Sequence, residues 1–129
     1  MSARSKETRQ LQRRQDAAQA EQIVADWLTS RGYQIVARNL RLSYLELDIV
    51  ARLGPLVVVV EVRHRRPGSF TTAFSSINSE KRRRIRYAAE RLWARRYAKD
   101  ASVERLRIDA ASVCLVGPEI RLEYCVGAF

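Results

Sequence analysis

Apolar positions along the chain change their period several times, and each change marks an element. Between Arg4 and Arg31 they recur at three- and four-residue steps: Ala17, Ala20, Val24, Trp27 and Leu28 make one stripe of an amphipathic helix. Gly32 is a natural stop. The first dozen residues are charged on every side, so residues 1–14 read as a frayed basic extension. Apolar and polar residues then alternate over Tyr33–Arg38 and again over Glu46–Arg52, which predicts two strands. Leu56–Arg63 carries Val57, Val58, Val59 and Val60 in a row. Four β-branched residues without a polar break predict a central strand covered on both faces. Gly54-Pro55 is the turn between the second and third strands.

A loop from His64 to Asn78, with Pro67 and Gly68 in it, leads to a second helix over Glu80–Tyr97. Asn78 or Ser79 caps it, and Ile85, Ala88, Ala89, Leu92 and Trp93 form its stripe. Two closing strands, Leu106–Val116 and Ile120–Val126, flank Gly117-Pro118. The order is α-β-β-β-α-β-β. A helix crossing over after the third strand implies that the fourth returns parallel to a neighbour. The expected architecture is a single α/β domain over residues 1–129, a mixed sheet with helices packed against it.

Counting across Gly54-Pro55 adds chemistry to this outline. With an even loop centred there, Asp48 lies opposite Glu61 and Glu46 opposite Arg63. Side chains two apart share a face, so all four are expected to point the same way. Like charges facing each other across strands are destabilising, and a shared divalent cation is one remedy. Mg²⁺ is usually held by one or two carboxylates and keeps several waters. The plainer alternative is a cross-strand charge network in which Glu46 and Asp48 pair with Arg63. Glu21 borders the inward stripe of the first helix, and Lys81 sits one turn before Ile85 on the stripe of the second, within reach of the carboxylates. Here too a helix-flank Glu and a snorkelling Lys are the plain readings.

Charge changes the picture further. Against 14 acidic residues stand 24 Lys and Arg, a net charge of +10, which favours a partner of dense negative charge. Nucleic acid is the first candidate and an anionic membrane surface the second. The second helix carries Lys81, Arg82, Arg83, Arg84, Arg86, Arg91, Arg95 and Arg96, and the segment before it adds His64, Arg65 and Arg66. Arginine forks suit phosphate, and such contacts bind the backbone without reading sequence. His64, the sole histidine, reads as a surface residue before it reads as a ligand. No apolar stretch approaches the ~20 residues of a membrane span, and no apolar segment follows the basic N-terminus as in a secretory signal. Cys114 and Cys125 read as two buried thiols in a reducing cytoplasm.

Gly32-Tyr33, Arg38-Asn39, Glu46-Leu47-Asp48-Ile49-Val50 and Val60-Glu61-Val62-Arg63-His64-Arg65 together resemble the YraN family of bacterial proteins. The resemblance extends back to Glu21 and forward through Lys81-Arg82-Arg83 and Arg107-Ile108-Asp109 to Ala128-Phe129. That family is similar to restriction-endonuclease-like nucleases, in particular the Holliday-junction resolvase branch. The resemblance implies a three-layer core, a Mg²⁺- or Mn²⁺-dependent cut in branched or structured DNA, and a homodimer. Asp48 and Glu61 fill the two acidic positions of the nuclease signature, the Val62 carbonyl is a further metal ligand, and Glu21 matches a first-helix glutamate near the metal.

The chain departs from the family at Arg63, where the signature has Lys. Lysine can orient or deprotonate a water; arginine stays charged and can only steady developing charge. Lys81 is then the candidate to supply the missing ammonium. Leu45 stands where the family has Gly, and Ala17 or Ala20 replace small glycines of the first helix. A nuclease fold that binds nucleic acid without turnover is the competing reading, and a protein- or ribosome-associated factor is a third.

Overall fold

Five strands form one sheet in the order β1-β2-β3-β4-β5, so neighbours in sequence are neighbours in space. The computed structural model describes residues 3–68 and 77–129. Helix α1 spans Ala3–Ser30, β1 Gln34–Leu42, β2 Leu45–Leu53, β3 Leu56–Arg65, α2 Ser79–Leu92, β4 Arg105–Val116 and β5 Glu119–Cys125. Most of the loop expected between His64 and Asn78 lies outside the described residues.

The parallel return is as the crossover implied: β3 and β4 run parallel from Leu56↔Arg105 to Arg65↔Cys114, and all other neighbours are antiparallel. Val57 to Val60 are buried throughout, and β3 is the central strand. Its side chains divide between two cores. Val57 and Val59 pack with Ile85, Ala88, Ala89 and Leu92 of α2. Leu56, Val58 and Val60 pack with Ala20, Val24, Ala25 and Leu28 of α1. The helices therefore cover opposite faces, in the three-layer α/β/α architecture of nuclease-like cores.

Three elements differ from the sequence reading. Ala17, counted in the buried stripe, is exposed; the stripe begins at Ala20, and α1 projects before it with Ser5 to Gln15 exposed yet helical. Strand β1 runs on to Leu42 instead of ending at Arg38: Asn39 adopts a left-handed backbone (φ 49°), yet Leu40, Arg41 and Leu42 stay paired with β2 beyond it. Helix α2 is capped by the Asn78 side chain, which accepts from the Lys81 amide, but regular α geometry ends at Leu92. A wider π-helical turn, Trp93–Tyr97, closes with the Ala98 amide on the Trp93 carbonyl at 2.8 Å and carries Tyr97 into the core. The thiols of Cys114 and Cys125 are free and half-buried, not fully buried as expected.

The C-terminal end is pinned by a buried charge. Asp109, fully buried on β4, takes both prongs of Arg107 at 2.8 Å, the Tyr124 hydroxyl at 2.5 Å and the Gly127 amide at 2.8 Å. Arg107 also donates to the Tyr33 hydroxyl, and Trp27 stacks on Tyr124 at 4.5 Å, tying α1, β4 and β5 together. Burial, then the bond to Asp109, hold the Tyr124 phenol well above its usual pKa. Removing one partner of a buried pair strands the other's charge. Asp109→Ala is therefore expected to lower the unfolding free energy by about 3–5 kcal/mol in urea denaturation; a loss under about 1 kcal/mol would refute the pinning role.

Candidate functional site

The strand pairing expected across Gly54-Pro55 is observed for Leu53↔Leu56, Arg52↔Val57, Ala51↔Val58, Val50↔Val59 and Ile49↔Val60, but the pairs expected next, Asp48 with Glu61 and Glu46 with Arg63, are not part of the ladder. Beyond Ile49↔Val60 the backbone pairing of β2 with β3 stops, while β3 stays paired with β4 as far as Arg65. The sheet thus opens into a fork, and Asp48 lies at its apex. Its Oδ2 accepts the Val62 amide at 2.8 Å, in place of a backbone partner for that N–H. The same Asp48 carboxyl is hydrogen-bonded to Glu61.

Irregular backbone makes this possible. Leu45 and Leu47 join the core under α2, whereas Ile49 and Ala51 join the core under α1, so the two-residue alternation slips at Asp48. The flanking pairs Arg38↔Ile49 and Leu40↔Leu47 place left-handed Asn39 opposite it on β1. The common face expected for Glu46, Asp48, Glu61 and Arg63 is accordingly split. Glu46 is exposed and lies 3.8 Å from Arg41, its register partner on β1. Asp48 and Glu61 remain together.

Lys81 reaches the pair from α2, with Nζ 2.9 Å from Oε1 of Glu61. Glu61 is almost wholly buried and Lys81 is half-exposed, so the ammonium bridges the carboxylates to solvent. Glu21 approaches from α1, hydrogen-bonded to the Asn39 side chain and 3.9 Å from Arg38. Burial raises the Glu21 carboxyl above its usual range, with Asn39 and Arg38 opposing and Glu46 and Glu61 adding to the rise. Asp48 is more perturbed. Burial first, then the neighbouring Glu61 charge, push its pKa up to about 8, against the pull of the Val62 amide. Burial and the crowding of two carboxyls therefore both favour a proton on Asp48, or a cation in its place.

Among the described residues no three His, Cys, Asp or Glu side chains converge to hold a metal by themselves. The donor set at the fork is two carboxylates beside a backbone segment whose N–H is already used. That is poor for Zn²⁺, which takes four or three protein ligands rich in N and S. It suits Mg²⁺ or Mn²⁺, hard ions content with one or two carboxylates and water. Glu21 stands back from the pair, as a group acting through others would.

The basic residues are distributed more widely. Lys81 and Arg84 line a hollow of about 210 Å³ with Tyr44, Leu45, Glu46 and Ile85, joined to the fork through the Lys81–Glu61 contact. Arg82 turns to the Ile77 carbonyl and lies 5.8 Å from the Phe129 ring, while Arg83 is exposed. Arg65 and Arg66 face a separate hollow of about 370 Å³ with Ser112 and Arg121, and Arg65 lies 3.5 Å from Glu123. Arg63 is half-buried on β3, and His64 is exposed. Sequence reasoning gave no role to Asn39, Arg38 or Tyr44; only the Arg38-Asn39 pair within the family resemblance pointed near them.

A profile described as "Uncharacterised protein family UPF0102" matches residues 20–113, from the buried part of α1 into β4. The chain belongs to the UPF0102 family. A UPF0102 protein of Sorangium cellulosum is 46% identical over 118 residues, covering 91% of this chain and 82% of its own. One from Renibacterium salmoninarum is 40% identical over 108 residues, covering 83% and 89%. The UPF0102 protein YraN of Salmonella newport is 37% identical over 94 residues, 73% of this chain and 71% of its own. The region matched by the UPF0102 profile contains Glu21, Asp48, Glu61, Arg63 and Lys81 and omits the exposed start of α1.

The raised Asp48 pKa has a measurable consequence. An unfolded Asp ionises near pH 3.8 and the folded one near 8, so the stability this group contributes is complete below about 4 and is lost as pH rises to about 8. Asn mimics the protonated form. In chelator-containing buffer, Asp48→Asn is expected to gain stability relative to wild type between pH 4 and pH 8 in urea titrations. A difference that stays constant over that range would contradict the crowded pair.

Proposed function

We propose that this chain is a metal-dependent, nuclease-like protein that acts in the cytoplasm on branched or otherwise structured DNA. The observation that carries the reading is the Asp48–Glu61 pair at the fork with the Lys81 ammonium 2.9 Å from Glu61. Asp48 and Glu61, with the Val62 carbonyl, are the groups that would hold Mg²⁺ or Mn²⁺. Such an ion polarises a phosphate oxygen and lowers the pKa of a bound water.

The chain's own residues supply the rest. Asp48 is held by the Val62 amide and by its hydrogen bond to Glu61, which together fix the direction of its carboxyl. Glu21 would add negative potential behind the pair while it engages Asn39 and Arg38 of β1. Lys81 offers a cation where charge develops on a cleaved phosphate, a contribution of the kind worth about 10²–10³ in rate. Arg63 would lend further positive charge. Arg65, Arg66, Arg82, Arg83 and Arg84 would hold the backbone without reading bases.

The second reading, a binding module without turnover, draws on Arg63 where a nuclease signature has Lys. Cleavage of a labelled four-way junction and of duplex DNA with Mg²⁺ or Mn²⁺ separates the two. Wild type should cut the junction, Asp48→Asn and Glu61→Gln should abolish cutting, and Lys81→Met should slow it by about a hundredfold or more. Salt-sensitive binding with no cutting by wild type, and cutting by Arg63→Lys, would establish the binding module instead.

A further inference from the structure

Tyr44 stands at the tip of the β1–β2 hairpin with 83% of its surface exposed, the most exposed large hydrophobic side chain of the described residues. Its backbone is nevertheless rigidly founded. The hairpin closes at Leu42↔Leu45, both buried, leaving only Ser43 and Tyr44 in the turn. Ser43 has φ 64°, a left-handed conformation that glycine usually takes in such turns. A tight turn thus holds an aromatic ring out into solvent, where it contributes nothing to the core. Loops held by a rigid scaffold are where binding residues concentrate, and Tyr is among the residues enriched at interfaces.

Its surroundings indicate the ligand. Tyr44 shares the 210 Å³ hollow with Lys81 and Arg84. Lys81 is the residue that contacts Glu61 at the fork, and Arg84 is exposed and paired across one helical turn with Glu80. The hollow therefore offers one flat apolar face beside two cations, and one of these, Lys81, reaches on to Glu61 of the carboxylate pair. A nucleotide has the matching parts: a π face for stacking and a phosphate for the cations. A base can stack on an outside ring only when it is not paired within a continuous helix.

We propose that Tyr44 is a stacking platform for an unpaired base adjoining the phosphate at the fork, and that it makes the protein prefer DNA with a gap, branch point or single-stranded junction over intact duplex. This rests on the nuclease-like reading above and narrows its substrate. Lys81 and Arg84 hold the phosphate beside that base, and Glu46, on the rim of the same hollow, disfavours a second phosphate there.

The test is fluorescence anisotropy in metal-free buffer, with labelled intact duplex and the same duplex carrying a central single-stranded gap. Wild type, Tyr44→Ala and Tyr44→Trp are compared; all are expected to fold alike because 83% of the side chain's surface is exposed. Wild type should favour the gapped DNA. Tyr44→Ala should weaken gapped binding by about tenfold and duplex binding by less than about twofold. Tyr44→Trp should keep the preference, with its added emission quenched by the gapped DNA and not by the duplex. Equal loss on both DNAs, or no loss on either, overturns the role of Tyr44 while leaving the nuclease-like reading intact. Binding of neither DNA by wild type overturns the nuclease-like reading, and the platform with it.

Discussion

Two strands that pair through five residues and then part create the problem the rest of this structure solves. Past Ile49↔Val60 the amide of Val62 faces a gap, and a buried amide without an acceptor costs on the order of 1–3 kcal/mol. Asp48 fills that need with its carboxylate. Doing so brings Asp48 against the buried Glu61, and two carboxylates so placed repel unless a proton or a cation lies between them. The Lys81 ammonium answers Glu61, and the raised pKa of Asp48 is what remains unanswered. A structural need of the backbone and an electrostatic strain in the side chains thus meet at one place.

The surrounding fold is arranged to hold that place still. Valines 57 to 60 anchor β3 between two cores, so Glu61 enters the fork from an immobile strand. The Asn78 cap fixes the first turn of α2, three residues before the lysine amide it receives. Below, the Asp109 network locks α1 to β4 and β5 and so fixes the helix that presents Glu21. A site placed on such elements keeps its geometry more closely than one built on loops.

Much of this was legible in the residues. The valine run marked the central strand, the helical stripes marked both packing faces, and the even turn at Gly54-Pro55 gave the β2–β3 register to the residue. Helix phase alone placed Lys81 toward the carboxylates. What escaped was local backbone irregularity. Strict alternation put Glu46 with Asp48, but the left-handed Asn39 and the slip at Asp48 redirect the two strands together, and neither leaves a periodic trace. The widened turn after Leu92 escaped for the same reason. Ala17 misled because alanine is equally at home in a stripe and in solvent on a helix. Tyr44 drew no notice because one aromatic in a turn has no pattern; only its exposure beside Lys81 gives it meaning.

The central claim is that the Asp48–Glu61 pair exists to hold a divalent cation. Crystals soaked in Mn²⁺ and measured for anomalous scattering would test it most directly. The account predicts one strong peak within bonding distance, about 2.0–2.6 Å, of both carboxylates, with the hydrogen bond between them broken. No peak at the fork, with Asp48 and Glu61 still sharing their hydrogen and Lys81 still in place, would contradict it.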